Sequence, residues 1–165
     1  MIDLSRALRH LGWADDRFFA GLADLPPAAL QSRVAPGEWA VGQLAMHIVG
    51  GAEWYRHCLT GAPWTDLRIP QDSDGVRALR SHLMTLDAAL LLEAAGPDER
   101  VEFEDEDGPR SALRSTILTQ ACLHAAEHRA QIACALQVSG FSAPVLDDLD
   151  LWAFEDVERE SAPGA

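Results

Sequence analysis

Two histidines four residues apart stand in the segment LHAAEHRAQ, residues 123–131. The segment contains no helix breaker, so His124 and His128 are predicted to share one face of a helix, one turn apart. Imidazole is the commonest side-chain ligand of transition metals. The spacing alone leaves two interpretations open, because polar residues often share a helix face without binding anything.

A third histidine, His47, lies in the middle of another predicted helix, in the segment LAMHIVG. An imidazole at that depth needs a polar partner, since a buried unsatisfied polar group costs about 1–3 kcal/mol. Mid-length positions of neighbouring helices lie at similar depth in a bundle, where bundle cores hold metal ions. We therefore predict one metal site formed by His47, His124 and His128. Three neutral imidazoles suit Zn, Ni, Fe or Cu better than Mg or Ca.

The residues around these histidines indicate a pocket. Gly50 and Gly51 follow His47 inside its helix, where each glycine costs about 1 kcal/mol relative to alanine, so close approach or open space is expected there. Trp54 faces the same way as His47, and Gln131 lies on nearly the same face as His128. Both are candidate substrate-binding residues. The alternative is that the glycines only permit close helix packing and that Trp54 belongs to the core.

The remaining candidates are assigned structural roles. Arg129 points away from His128 and is expected to form a salt bridge between helices or between subunits. His10, His57 and His82 are predicted to be surface residues, because they lie on charged stretches or near a helix end. No residue is assigned as a catalytic base, although Glu127 is close enough along the helix to be considered.

Apolar residues repeat at helical spacing in four segments, at about residues 3–24, 41–59, 75–95 and 111–139, the last with Ser111 as its cap. Alternating apolar and acidic residues at 100–110 predict a short strand or hairpin. A last short helix is expected around residues 149–157. The pattern predicts an all-α, four-helix bundle with a short strand or hairpin segment before the last long helix, in a single domain of residues 1–165.

Composition excludes several classes of function. The net charge is −13 and all 13 basic residues are arginine, so Schiff-base chemistry and Walker-type phosphate loops, which need lysine, are excluded. An acidic chain without a basic patch is a poor ligand for nucleic acid. Three cysteines without a CxxC motif indicate neither disulfides nor a thiolate zinc site. With no signal peptide and no apolar run near ~20 residues, we expect a cytoplasmic protein that does not engage membranes.

Two segments carry a family resemblance. PGEWAVGQLAMHIVGGAEWY (residues 36–55) and HAAEHRAQIACALQVSGFSAPVLDDLDLWAF (residues 124–154) resemble the DinB/YfiT-like family of metalloenzymes. The resemblance implies a four-helix bundle, often dimeric, with one divalent metal ion held by His47, His124 and His128. Zinc or nickel is favoured, with iron or manganese as alternatives. Many relatives carry an asparagine in the first helix where this chain has Asp15 or Asp16.

The family includes transferases and isomerases that use low-molecular-weight thiols such as bacillithiol, mycothiol or glutathione, and many members without a known activity. Three neutral ligands leave the charge of a divalent ion uncompensated and leave coordination positions open. We therefore predict a metal-dependent enzyme that activates a thiol or a water against a small-molecule electrophile; the resemblance favours the thiol and implies a homodimer. A bundle that binds a metal or small molecule without turnover, as a sensor or carrier, is the alternative.

Overall fold

Helices dominate the computed structural model, which describes residues 4–161. In chain order the elements are α1 (Leu4–Ala23), a 3₁₀ helix (Pro27–Gln31), α2 (Val41–Thr60), α3 (Ser73–Glu93), β1 (Arg100–Asp105), β2 (Gly108–Leu113), α4 (Arg114–Val138), a second 3₁₀ helix (Leu146–Leu149) and α5 (Leu151–Ser161). The two strands form one antiparallel hairpin. The predicted helical bundle with a hairpin before its last long helix is confirmed.

Local signals in the sequence explain most helix ends. Gly61 ends α2 in the left-handed conformation, with φ at 71°, which a residue with a side chain rarely adopts. Asp72 caps α3 by accepting a hydrogen bond from the Gly75 amide. The predicted start of α1 at residue 3 lies outside the described residues. Ser111 was wrongly predicted to cap α4: it pairs with Glu102 within the hairpin, and α4 begins at Arg114.

The four long helices pack so that each touches two others closely. α1 packs against α3 and α4, and α2 packs against α3 and α4. α2 and α4 are therefore neighbours although about fifty residues of chain separate them. This adjacency brings the histidine of α2 next to the two histidines of α4.

The core between the helices is apolar and well filled. Phe18 and Phe19 are fully buried, and each such side chain contributes about 1.5–3 kcal/mol through removal from water. Other fully buried large side chains come from all four long helices: Leu8, Leu22, Ile48, Leu83, Leu86, Leu90, Leu118, Ile132 and Leu136. The helix positions that carry the site are therefore fixed by packing on their inner sides.

A buried salt bridge crosses the core beside the histidines. Arg129 of α4 donates to Asp15 of α1, and both side chains are almost completely buried. The prediction of an interhelical salt bridge at Arg129 is confirmed. Asp87 of α3 lies close enough for the charge of Asp15 to act on it, and burial together with that charge raises the pKa of Asp87 to about 8. Because Arg129 follows His128, this pair anchors the ligand-bearing turn of α4 to α1.

A second polar network holds the loop between α2 and α3. The buried carboxylate of Glu53 accepts from the Thr65 amide at 3.2 Å and contacts His82 Nε2 at 2.7 Å. Hydrogen bonds to Thr65 and His82 lower the pKa of Glu53 against the opposing effect of its burial. A buried carboxylate left without these partners would be costly, so the network fixes the loop to the bundle.

His10, His57 and His82 are half-buried, so their assignment to the surface was wrong. His10 Nε2 lies 2.8 Å from the Leu149 carbonyl, and His57 Nδ1 lies 2.9 Å from the Ala62 carbonyl. Both imidazoles thus bond to backbone carbonyls outside their own helices. The pattern of charges along one helix does not reveal such contacts. Within residues 4–161, no helix has the length and apolar content that crossing a bilayer requires.

Candidate metal centre

The structure brings the three predicted histidines together. His47 projects from the middle of α2, and His124 and His128 project from successive turns of α4. One nitrogen from each imidazole lies within 4.8 Å of the other two. Within the described part of the chain, no other group of three or more His, Cys, Asp or Glu side chains is close enough to hold a metal ion. The predicted cluster is confirmed as a group that could hold one ion.

The spacing of the nitrogens fits a coordination site. The Nε2 atoms of His47 and His124 lie 3.2 Å apart. Two ligands of a tetrahedral ion at about 2.0–2.1 Å would be separated by ~3.4 Å, so this pair already has a suitable spacing, and the nitrogen of His128 lies within 4.8 Å of both. The rings of His124 and His128 meet at 76° rather than stacking. The donor set is thus three imidazole nitrogens that converge from two helices.

Gly51 makes room for one ligand. A Cβ atom built at Gly51 would lie 2.4 Å from Cε1 and 2.8 Å from Nδ1 of His124, far inside contact distance. The imidazole of His124 therefore occupies the place where any other residue would put its side chain. The prediction that the glycine pair provides close approach is confirmed at Gly51. At Gly50 a Cβ would meet only Leu67 at 3.8 Å, an ordinary contact.

The surroundings of His47 and His124 favour their neutral forms. Burial, together with the nearby imidazoles of His128 and His47, lowers the pKa of His124 to about 4. The pKa of His47 is lowered mainly by burial and then by His128. A protonated imidazole has no lone pair to offer, so these shifts leave His47 and His124 ready to bind a cation near neutral pH.

Gln131 orients the third ligand. Its Oε1 lies 2.8 Å from Nδ1 of His128. An amide oxygen can only accept, so Nδ1 carries the proton and donates it, which leaves the Nε2 lone pair of His128 for a metal. Sequence reasoning placed Gln131 at the site as a substrate-binding residue, and that role stays a prediction. Gln131 follows His128 by three residues on the same helix, and side chains at that spacing are neighbours, so the sequence indicates that the two can form a hydrogen bond.

Aromatic rings surround the imidazoles. Trp39 lies edge-on to His47 with ring centroids 4.8 Å apart, and Tyr55 lies edge-on to His124 at 5.8 Å. Neither was predicted as a site residue from the sequence. Trp39 precedes the first residue of α2, so helical periodicity carries no information about its direction. The three imidazoles are half-buried, so the cluster is walled by aromatic rings but still reaches solvent.

Trp54 lies further along α2, in a separate aromatic stack. Its ring stacks on Trp64 at 5.4 Å and lies edge-on to Phe103 of the hairpin at 5.8 Å. These contacts join α2 to the loop that follows it and to β1. A role for Trp54 in substrate binding stays a prediction.

Comparisons with known proteins agree with this architecture. A family model described as the DinB family matches residues 1–160. A crystal structure of a DinB-like protein from Bacillus cereus superposes with a TM-score of 0.63 at 22% identity, covering 83% of this chain and 91% of that one. At that identity the likeness concerns the fold. No curated protein matches the sequence.

Proposed function

The chain belongs to the DinB family, and on that premise we propose that it is a divalent-metal-dependent enzyme that joins a low-molecular-weight thiol to a small electrophile. The observation that carries the proposal is the convergence of three half-buried imidazoles between α2 and α4. Zinc or nickel suits such nitrogen ligands best, and iron or manganese would also be accommodated. When bound, the ion would serve as a Lewis acid that lowers the pKa of a thiol or water.

The protein's own residues would hold and orient that ion. Gly51 leaves the space that His124 fills, and Gln131 fixes the ring and tautomer of His128. Trp39 covers one side of His47, where it limits access of water. Three protein ligands leave coordination positions for a substrate, whereas a structural site is closed by four.

The surroundings of the cluster favour a thiol over water as the nucleophile. The cluster contains no carboxylate that could accept a proton, and Glu127 on α4 is exposed. A free thiol ionises with a pKa near 8.5, against ~15.7 for water, so a thiol needs far less help from a base. Thiol transfer is accordingly the proposed reaction, and hydrolysis is the less favoured outcome of the same site.

Metal analysis followed by a thiol screen tests the proposal. We expect about one Zn or Ni ion per chain, reduced to a small fraction in His128→Ala, and turnover of a chromogenic electrophile with one of bacillithiol, mycothiol or glutathione. Turnover should be absent in His128→Ala and in metal-stripped protein. A protein that binds no metal would refute the proposal, and one that binds metal but turns over nothing would support a sensor or carrier instead.

The proposal includes a homodimer, as is frequent in the family. Sedimentation velocity of the purified protein at micromolar concentration would decide it. A species of about twice 17.9 kDa is expected. A monomer at that concentration would remove the dimer from the proposal without affecting the metal site.

A further inference from the structure

A cavity of about 400 Å³ opens beside the histidine cluster. Its volume lies within the range of about 300–1,000 Å³ typical of small-molecule sites. The cavity lies between the segment that precedes α2, the first turns of α2 and the middle of α4. It is lined by Val34, Ala35, Glu38, Trp39, Leu44 and Gln131.

Two of the lining residues also touch the predicted ligands. Trp39 lies against His47, and Gln131 accepts a hydrogen bond from His128. The cavity and the metal centre therefore share a wall made of these two side chains. A molecule held in the cavity would contact the two side chains that touch His47 and His128, although none of the three imidazoles lines the cavity itself.

The lining is mostly apolar. Leu44 is buried, but Val34 and Trp39 are 43% and 49% exposed, although the hydrophobic effect favours covering such side chains. A ligand that covered them would gain about 25 cal/mol for each Å² of apolar surface removed from water. The lining thus favours an apolar occupant, such as an aryl or branched alkyl group.

The polar part of the lining selects by charge. Among the described residues, Glu38 is the one ionisable group that lines the cavity; Arg33 donates to its backbone carbonyl, and the chain as a whole carries a charge of −13. A carboxylate in the cavity would repel an anionic ligand, whereas Glu38 and the amide of Gln131 can bind a neutral or cationic group. By contrast, the hollow beside the hairpin is lined by Glu102, Glu104 and Arg110 and shares no residue with the cluster.

We propose that this cavity is the subsite for the electrophilic substrate, and that it takes the apolar body of a neutral or cationic molecule and discriminates against anions. The inference rests on the proposed function and adds the substrate class. It assigns Trp39, Leu44 and Ala35 to the walls and Glu38 to charge selection.

The test uses the full-length protein loaded with zinc and a series of hydroxamates that share one metal-binding head. Acetohydroxamate reports the open coordination position alone, and benzohydroxamate adds an apolar ring. We expect benzohydroxamate to bind at least about tenfold more tightly in calorimetric titrations. Ala35→Trp, a change at an exposed wall position, should reduce that preference to about twofold or less. The control Val145→Trp, which lines a different hollow, should leave the preference unchanged.

The charge arm compares benzohydroxamate with 4-carboxybenzohydroxamate. The added carboxylate should weaken binding several-fold, and Glu38→Gln should remove most of that penalty. Equal affinity for acetohydroxamate and benzohydroxamate on zinc-loaded protein, or equal effects of Ala35→Trp and Val145→Trp, would overturn the subsite while leaving the metal centre intact. Failure of the protein to bind zinc, measured first without any hydroxamate, would instead overturn the proposed function itself.

Discussion

Replacing Gly51 by alanine is expected to lower the metal affinity of the protein without lowering the stability of helix α2. The new Cβ would lie 2.4 Å from Cε1 of His124, whereas carbon atoms in contact settle at about 3.5–4.0 Å. The imidazole must therefore move by roughly 1 Å or more, which takes its Nε2 away from His47. Because a displaced ligand loses its bond to the ion, we expect metal affinity to fall at least about 100-fold, or ~2.7 kcal/mol.

The same substitution also has a favourable effect on the helix. Alanine is preferred over glycine inside a helix by about 1 kcal/mol, so the metal-free variant should unfold at a similar or slightly higher denaturant concentration than the parent. Gly50→Ala is the matched control. Its Cβ meets only Leu67 at 3.8 Å, so it should gain helix stability and keep its metal affinity.

Two measurements decide this prediction. Competition with a chromogenic chelator gives the zinc affinity of each variant, and urea unfolding in a strong chelator gives the stability of the metal-free protein. An affinity of Gly51→Ala within about threefold of the parent would refute the reasoning, because it would mean that His124 does not depend on the space above Gly51. Equal losses in both glycine variants would also refute it.

Three further predictions concern Gln131 and the two buried polar networks of the bundle. Gln131→Met should lower zinc affinity about tenfold, because His128 loses the acceptor that fixes its tautomer; an unchanged affinity would contradict that role. Asp87→Asn should raise the free energy of unfolding at pH 8 but much less at pH 5. Because the pKa of the buried Asp87 is raised, the free energy of unfolding of the parent falls as pH rises from about 4 to about 8, by up to about 1.4 kcal/mol per pH unit. A stability difference between Asp87→Asn and the parent that does not change with pH would refute this pH dependence. Glu53→Ala should destabilise the protein by about 1–3 kcal/mol and increase amide exchange at Thr65, whereas a conservative Glu53→Gln should lose less; unfolding curves and hydrogen exchange check both.

The helices and all three candidate ligands could be predicted from the sequence, with His47 added through its position in the middle of a predicted helix. Helical spacing is a local property, so the repeat of apolar residues placed the helices, and a separation of four placed His124 and His128 on one face. The cost of a glycine inside α2 pointed to the close approach now seen at Gly51. Ser111 was misplaced because a serine before a helical repeat is the local signal of an N-cap, whereas its pairing with Glu102 shows that β2 continues to Leu113.

Tertiary structure decided what no local pattern contains. Which helix lies beside which depends on how all apolar faces are buried together, so only packing could bring His47 of α2 to the histidines of α4. Trp39 belongs to a segment without periodicity, and its contact with His47 arises because the chain folds back before α2 begins. The partners of His10 and His57 lie on chain outside their own helices, and the partner of His82 is Glu53 on the neighbouring helix α2, so spacing along one helix could not specify any of them.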